Sequence, residues 1–222
     1  MTKEWWYSPE VASKYDEWYR TPRGRLIDEQ EKALLLSLLP GEHKGSLLDV
    51  GCGSGHFTRF FACLGYRALG VDISQAMVRQ AKKKALLPYV RGDALMLPFP
   101  DSSFDIVSAI TTLEFITKPE MMMAEMIRVS RGNILFGILN SLSPMGIRRR
   151  LELLIGRENP YLYARFYSPF SLKRLIYRTA DDIGVKVKEV SYKTTVFPCK
   201  KGVSPLVLPF GAFIGMVVVF NG

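Results

Sequence analysis

The run Leu47-Leu48-Asp49-Val50-Gly51-Cys52-Gly53-Ser54-Gly55-His56-Phe57-Thr58 restricts this chain more than any other stretch. A short apolar strand ends in an acid, glycines recur at every second position, and a helix pattern follows at once. Glycine is needed where the backbone turns sharply and approaches a ligand with no Cβ in the way. The helix that starts near His56 points its unpaired N–H groups into that turn. Strand, glycine turn and helix together predict a nucleotide-like ligand at a strand tip.

The glycine spacing selects among such ligands. A dinucleotide fingerprint has its third glycine three positions after the second and seats a pyrophosphate on the helix N-terminus. Here the third glycine follows after two, and Asp49 sits just before the first. A carboxylate beside the turn repels a pyrophosphate and suits an ammonium group. S-adenosylmethionine has an amino group, a sulfonium and no phosphate, so the pattern favours it over NAD. Asp72 follows a second apolar strand, Arg67 to Val71, 21 residues past Gly51. An acid at that distance, on the adjacent strand tip, accepts both ribose hydroxyls. Ile73 offers an apolar edge for adenine, and Asp93 of Gly92-Asp93-Ala94 is placed to take the adenine amino group. Phe104 to Ile110 reads as a buried strand that ends in Thr111-Thr112-Leu113-Glu114-Phe115.

Strands and helices alternate from residue 47 onward. The pattern predicts strands at 47–50, 67–71, 88–91, 104–110 and 133–139, and helices at 56–64, 74–86 and 118–129. Such alternation builds a parallel sheet with helices on both faces. Two helices come first: one capped at Ser8-Pro9 and leading to Tyr15, Trp18 and Tyr19, then, after a break at Thr21-Pro22-Arg23-Gly24, one from Leu26 to Leu39. Residues 140–167 form a connection longer than usual, with Arg148-Arg149-Arg150 and the aromatic stretch Tyr161 to Tyr167. Ser168-Pro169 caps a helix to about Arg178. Val185 to Val196 and Gly211 to Phe220 close the chain as an antiparallel pair at the sheet edge.

Charge and cysteine content narrow the class. Residues 140–201 hold 13 Lys/Arg against 5 Asp/Glu, within a net charge of +9. That bias suits nucleic acid, an anionic membrane or an acidic partner, or simply basic helix faces in water. The aromatic stacking motifs of RNA modules are missing. Cys52, Cys63 and Cys199 show no CxxC spacing, which points to a reducing cytoplasm and away from zinc. With only His43, expected at the surface, and His56, no imidazole metal site is expected. The apolar stretch from Val203 to Phe220 is interrupted by Pro205 and Pro209, so a buried hairpin is expected there and not a membrane span.

LLDVGCGSGHFT, GVDIS, RGDALMLPFPDSSFDIVSA and TTLEFI, in this order, resemble the class I S-adenosylmethionine-dependent methyltransferases of the UbiE-like, or type-11, family. The resemblance implies a Rossmann-like α/β fold: a mostly parallel seven-stranded sheet with an antiparallel last strand and helices on both faces. It implies one domain over 1–222, with 1–40 as a helical lid and 140–180 as an inserted segment covering the substrate. The implied cofactor residues are Tyr19, Asp49, Gly51, Cys52, Gly53, Gly55, His56, Asp72, Ile73, Met77, Asp93, Ala94, Leu95, Ile110 and Thr111. Asp49 and the glycines would hold the methionine part, with Tyr15, Trp18 and Tyr19 as an aromatic lid. His56 would contribute its backbone while its imidazole faces solvent. Methyl transfer from a sulfonium needs alignment and water exclusion more than an enzyme nucleophile, so no catalytic residue is fixed; Glu114, after the fourth strand, is the candidate. The expected partner is a small-molecule methyl acceptor, the product S-adenosylhomocysteine, and the oligomeric state monomer or homodimer. An RNA or protein methyltransferase using the basic surface, or a non-catalytic S-adenosylmethionine-binding regulator, are the alternatives. Pro198-Cys199 resembles the Pro-Cys pair of cytosine methyltransferases but lies too late in the chain.

Overall fold

The computed structural model describes residues 8–39, 45–154, 164–195 and 208–221. His43, Tyr161 to Tyr163 and the Pro198-Cys199 pair lie outside the described residues. Three helices come first: α1 (Pro9–Lys14), α2 (Glu17–Arg20) and α3 (Pro22–Leu36). Then follow β1 (Ser46–Val50), α4 (His56–Cys63), β2 (Arg67–Asp72), α5 (Gln75–Lys84), β3 (Tyr89–Arg91), β4 (Ile106–Ile110), α6 (Pro119–Val129) and β5 (Asn133–Leu139). The chain ends with α7 (Pro144–Leu154), α8 (Pro169–Asp182), β6 (Val187–Thr195) and β7 (Phe213–Phe220).

The strands form a seven-stranded sheet in the order β3-β2-β1-β4-β5-β7-β6. β1 to β5 pair in parallel, and β7 runs antiparallel to both β5 and β6. Order therefore reverses between β1 and β4, which leaves a crevice beyond their C-terminal ends.

Alternation along the strands supplies both faces. Leu48, Val50, Ile134 and Phe136 pack with Met122, Met123 and Met126 of α6 and Leu172 and Ile176 of α8. Leu47, Leu135 and Phe213 face the other way, onto Leu34 and Leu35 of α3 and Phe57 and Phe61 of α4. The apolar strands 4 and 5 are thus covered on both sides, as buried parallel strands require.

Four helix starts share one device, Ser or Thr before Pro. Ser8 Oγ accepts the Val11 N–H at 3.4 Å, and Ser168 forms a capping box with Ser171. Two others correct the sequence reading. The break falls at Thr21 alone, in extended conformation between α2 and α3: Thr21 Oγ1 accepts the Gly24 N–H at 3.0 Å and α3 starts at Pro22, not at Leu26. Ser143 Oγ accepts the Gly146 N–H at 2.9 Å and opens α7 inside the segment expected as a long connection. In both, proline's missing N–H falls where a helix has no use for one. The first expected helix is divided at Tyr15-Asp16 into α1 and α2. Among the described residues no helix is long and apolar enough to cross a membrane.

Candidate active site

The glycine turn is built on β2. The N–H groups of Gly51 and Cys52 both donate to the Val71 carbonyl, at 2.8 and 3.0 Å. Gly51, Gly53 and Gly55 have φ of 69°, 53° and 78°, a region that costs other residues energy. Asp72 at the β2 tip locks the turn: its Oδ2 accepts the Gly53 N–H and its Oδ1 the Ser74 N–H, each at 2.8 Å. Burial pushes the Asp72 carboxyl up, opposed by those two N–H groups.

Opposite lies the turn after β4. Thr111 has φ 49°, an unusual value for a β-branched residue, and its N–H donates to the Gly137 carbonyl at 2.6 Å. Such a conformation persists only where the surroundings enforce it, and it collects at ligand sites. Thr112 Oγ1 donates to the carbonyls of Gly51 and Ile110, both at 3.2 Å, so the two turns are tied together.

Between them is a cleft of about 270 Å³. Of the residues expected from the sequence, Gly51, Gly53, Asp72, Ile73, Met77, Asp93, Ala94, Leu95 and Thr111 line it. Asp93 Oδ1 accepts the Leu95 N–H at 2.9 Å, which shapes the loop after β3. Tyr15 lines it from the N-terminal cover; a Cβ on Gly53 would meet nothing nearer than the Tyr15 ring at 3.9 Å. Val50, Val71, Gly92, Thr112, Phe115, Ile116 and Thr117 also line it and were not singled out as cofactor residues. Most are immediate neighbours of singled-out positions, so strand-tip adjacency was the available signal.

Six expected residues do not reach the cleft wall. Asp49 is buried at 2% exposure; its Oδ2 accepts from Thr58 Oγ1 at 2.7 Å and its Oδ1 from Ser108 Oγ at 3.2 Å. It shares a strand face with Leu47, so it is directed to α4 and not to the turn's ligand side. Burial raises its carboxyl to about 7 against the two hydroxyls. Cys52 packs with Val78, Ala81 and Tyr89. Ile110 sits in the core, and Gly55 is the N-cap of α4 under Tyr89. The His56 imidazole is not solvent-facing. It stacks on Tyr19 with ring centroids 3.8 Å apart, and its Nε2 lies 2.7 Å from Asp28 Oδ1. Tyr19 therefore braces α2 on α4, while Trp18 is exposed. Asp16 adds a second brace, taking Lys84 at 2.7 Å and Arg59 at 3.3 Å and accepting from the Ser54 hydroxyl. Burial alone would raise the Asp16 carboxyl, yet Lys84, Ser54 and Arg59 bring it below its ordinary value.

Two further acids, Glu114 and Glu31, are buried outside the cleft lining. Glu114, 1% exposed, accepts the Leu139 N–H on Oε1 at 2.7 Å. Burial pushes it up to about 7, against that N–H, its own backbone N–H and the Arg149 charge. Glu31 on α3 was not singled out from sequence, although it shares a helix face with Leu34 and Leu35. Burial and the Asp28 charge raise it to about 8, with Arg149 opposing.

These raised values fix a sign. From about pH 4.5 up to about 7 for Glu114 and about 8 for Glu31, the folded chain holds a proton that the unfolded chain has released, so their contribution is full below 4.5, falls as pH rises across that window and is lost above it. Glu31→Gln is expected to raise Tm clearly near pH 9 and little near pH 5, bounded by roughly 4–5 kcal/mol. Calorimetric melts at the two pH values check it; an equal effect at both would overturn the protonated assignment.

The site suits an adenosyl ligand with no phosphate: a strand-tip carboxylate, bare glycine main chain and an apolar wall of Ile73, Met77, Ala94 and Leu95. Comparison with known proteins agrees. The type-11 family model, described as a methyltransferase domain, matches residues 48–136. Malonyl-[acyl-carrier protein] O-methyltransferase of Hamiltonella defensa is 35% identical over 115 residues, covering 50% of this chain and 45% of that one. The ubiquinone/menaquinone biosynthesis C-methyltransferase UbiE of Stutzerimonas stutzeri is 29% identical over 179 residues, covering 74% and 62%. The chain spans about half the length of the curated relatives it matches first. Among solved structures, a methyltransferase of Thermotoga maritima described as a possible histamine N-methyltransferase superposes with a TM-score of 0.78 at 24% identity, covering 98% of this chain and 100% of that one. At that identity the likeness concerns the fold.

Proposed function

We propose that this chain, which carries a domain of the type-11 methyltransferase family over residues 48–136, moves a methyl group from S-adenosylmethionine to a small-molecule acceptor. The observation that carries the reading is Asp72. Its carboxylate stands at the cleft wall, held by Gly53 and Ser74, where ribose hydroxyls can donate to its remaining lone pairs. Gly51 and Gly53 leave room for the methionine part. Ile73, Met77, Ala94 and Leu95 enclose the adenine, with Asp93 at its edge. Asp49, Cys52, Gly55, His56, Tyr19 and Ile110 act behind the wall, fixing the strand tips.

When bound, the cofactor supplies a methyl group on a positively charged sulfur, and transfer leaves a neutral thioether. The chain's share is to exclude water and align the acceptor. The N-terminal helices, with Tyr15 over the glycine turn, serve as the lid, and the described residues of the segment 140–180 close the acceptor side. The named relatives differ, one a malonyl-[acyl-carrier protein] O-methyltransferase and the other a ubiquinone/menaquinone biosynthesis C-methyltransferase, so the likeness leaves the acceptor open.

Calorimetry and native mass spectrometry on freshly purified protein test this reading. S-adenosylmethionine and S-adenosylhomocysteine are expected to bind, and NAD and nucleoside phosphates are not. Binding of NAD in place of both sulfur ligands would overturn it.

A further inference from the structure

β6 is the last strand of the sheet: it pairs antiparallel with β7 on one side and, among the described residues, with no strand on the other. Such an edge presents alternate N–H and C=O groups that the sheet leaves unpaired. A groove of about 470 Å³ lies along it. Its wall is Val190 to Lys193 of β6, with Ser37 and Leu38 just past α3, Lys173 of α8 and Val217 of β7. α3 and α8 pack on opposite faces of the sheet, so the groove wraps the strand's edge and opens to both faces.

Alternation along β6 places one lysine on each face. Val190 and Tyr192 turn to the α8 side, and there Lys173 Nζ lies 5.5 Å from the centre of the Tyr192 ring. Lys193 turns to the α3 side, where its Nζ donates to the Ser37 carbonyl at 3.2 Å and to Ser37 Oγ at 3.1 Å. An ammonium carries three donors, so Lys193 keeps one for an incoming acceptor. No acid lines the groove, and among the described residues neither lysine is in an ion pair. Glu189, exposed on the same strand, stands outside the lining.

The charges select the occupant. Two β6 strands paired antiparallel about Val190 and Ser191 would set Lys188 of one opposite Lys193 of the other, twice over. Like charges directly opposite are destabilising, which disfavours a second copy of this chain. An extended acidic segment meets every feature instead. Its main chain takes up the free edge, and neighbouring residues of a strand point to opposite faces, so two consecutive acids reach Lys193 on one side and Lys173 on the other. We propose that the outer edge of β6 docks an extended acidic segment of a partner protein, added as an eighth strand with adjacent carboxylates on Lys173 and Lys193. The cofactor cleft shares none of this lining, so the proposal does not rest on the methyl-transfer reading.

The test is fluorescence-anisotropy binding of labelled peptides of sequence Thr-Val-Thr-Glu-Glu-Val-Thr-Val, with Gln-Gln and Lys-Lys versions of the central pair, at physiological ionic strength. The Glu-Glu peptide is expected to bind at least about fivefold tighter than the Gln-Gln peptide, with Lys-Lys weakest. Two more versions of the acidic peptide carry N-methyl groups on alternate residues, one set for each of its edges. The set that faces β6 should weaken binding by about tenfold or more, and the other should be tolerated. Lys173→Glu and Lys193→Glu should each cut the preference for Glu over Gln several-fold while the melting temperature holds. The wild-type ranking stands without either variant, so a variant that fails to fold leaves the test in place. Equal binding of the three peptides, no binding at millimolar concentration, both methylated versions binding like the parent, or indifference to both substitutions overturns the proposal. Hydrogen exchange on the wild-type chain alone is the last arm: protection of the β6 amides that rises with protein concentration would give the edge to a second copy and overturn it too.

Discussion

Asp72→Ala is expected to raise the dissociation constants of S-adenosylmethionine and S-adenosylhomocysteine by at least about a hundredfold, because two losses coincide. The ribose hydroxyls lose a charged acceptor, an interaction of roughly 1.5–3 kcal/mol. The N–H groups of Gly53 and Ser74, each 2.8 Å from the carboxylate, lose their partner as well. Gly53 then loses the acceptor of its N–H beside the ligand, and Ser74 is the N-cap of α5. Asp72→Asn separates the two losses. Its amide oxygen can keep one N–H, but its NH₂ group faces the other donor, so affinity is expected to fall by about tenfold or more with a smaller drop in Tm. Calorimetry with both ligands, alongside thermal melts, reads the two effects. Unchanged affinity in the alanine variant would remove Asp72 from the site and with it the ribose assignment.

The parts of this molecule that could be read from sequence are those fixed by neighbours in the chain. The strand-turn-helix at 47–58, the acid at the second strand tip and the Ser-Pro caps at residues 8 and 168 are local, and the sheet follows from their alternation. The antiparallel closure was legible too: the stretches 185–196 and 211–220 read as an edge pair, and β6 and β7 pair antiparallel. What sequence left hidden depends on contacts between distant segments. His56 looked solvent-facing because Asp28 and Tyr19, its partners, come from helices that precede the sheet. Glu31 is hidden for the same reason: its burial is set by tertiary packing of α3, and the only local sign is that Leu34 and Leu35 lie on its face. Asp49 was misplaced for a different reason: alternation from Leu47 assigns it to the α4 side, and proximity to the glycine turn outweighed that period.

Gly51→Ala is expected to damage fold and site together, where Gly53→Ala damages the site alone. Both glycines have positive φ, so alanine at either carries a backbone cost of about 1 kcal/mol. Their surroundings differ. A Cβ on Gly51 would run into the Thr112 side chain, whose hydroxyl donates to the Gly51 carbonyl and ties the glycine turn to the turn after β4. Relief requires moving one turn off the other, and overpacking of this kind adds roughly 1–3 kcal/mol. The sum, about 2–4 kcal/mol, corresponds to a Tm lower by roughly 5–15 °C in a domain of this size. At Gly53 the new methyl would project into open cleft, with the Tyr15 ring its nearest neighbour at 3.9 Å. That variant should melt within a few degrees of wild type and still lose S-adenosylhomocysteine affinity by about tenfold or more, because the methyl occupies ligand space. Pairing Gly51→Ala with Thr112→Ala removes part of the clash but not the φ cost, so partial recovery of Tm is expected. If the two single variants melted alike, or the double variant recovered nothing, the steric link between the two turns would be wrong, and the cleft would owe its shape to something other than their contact.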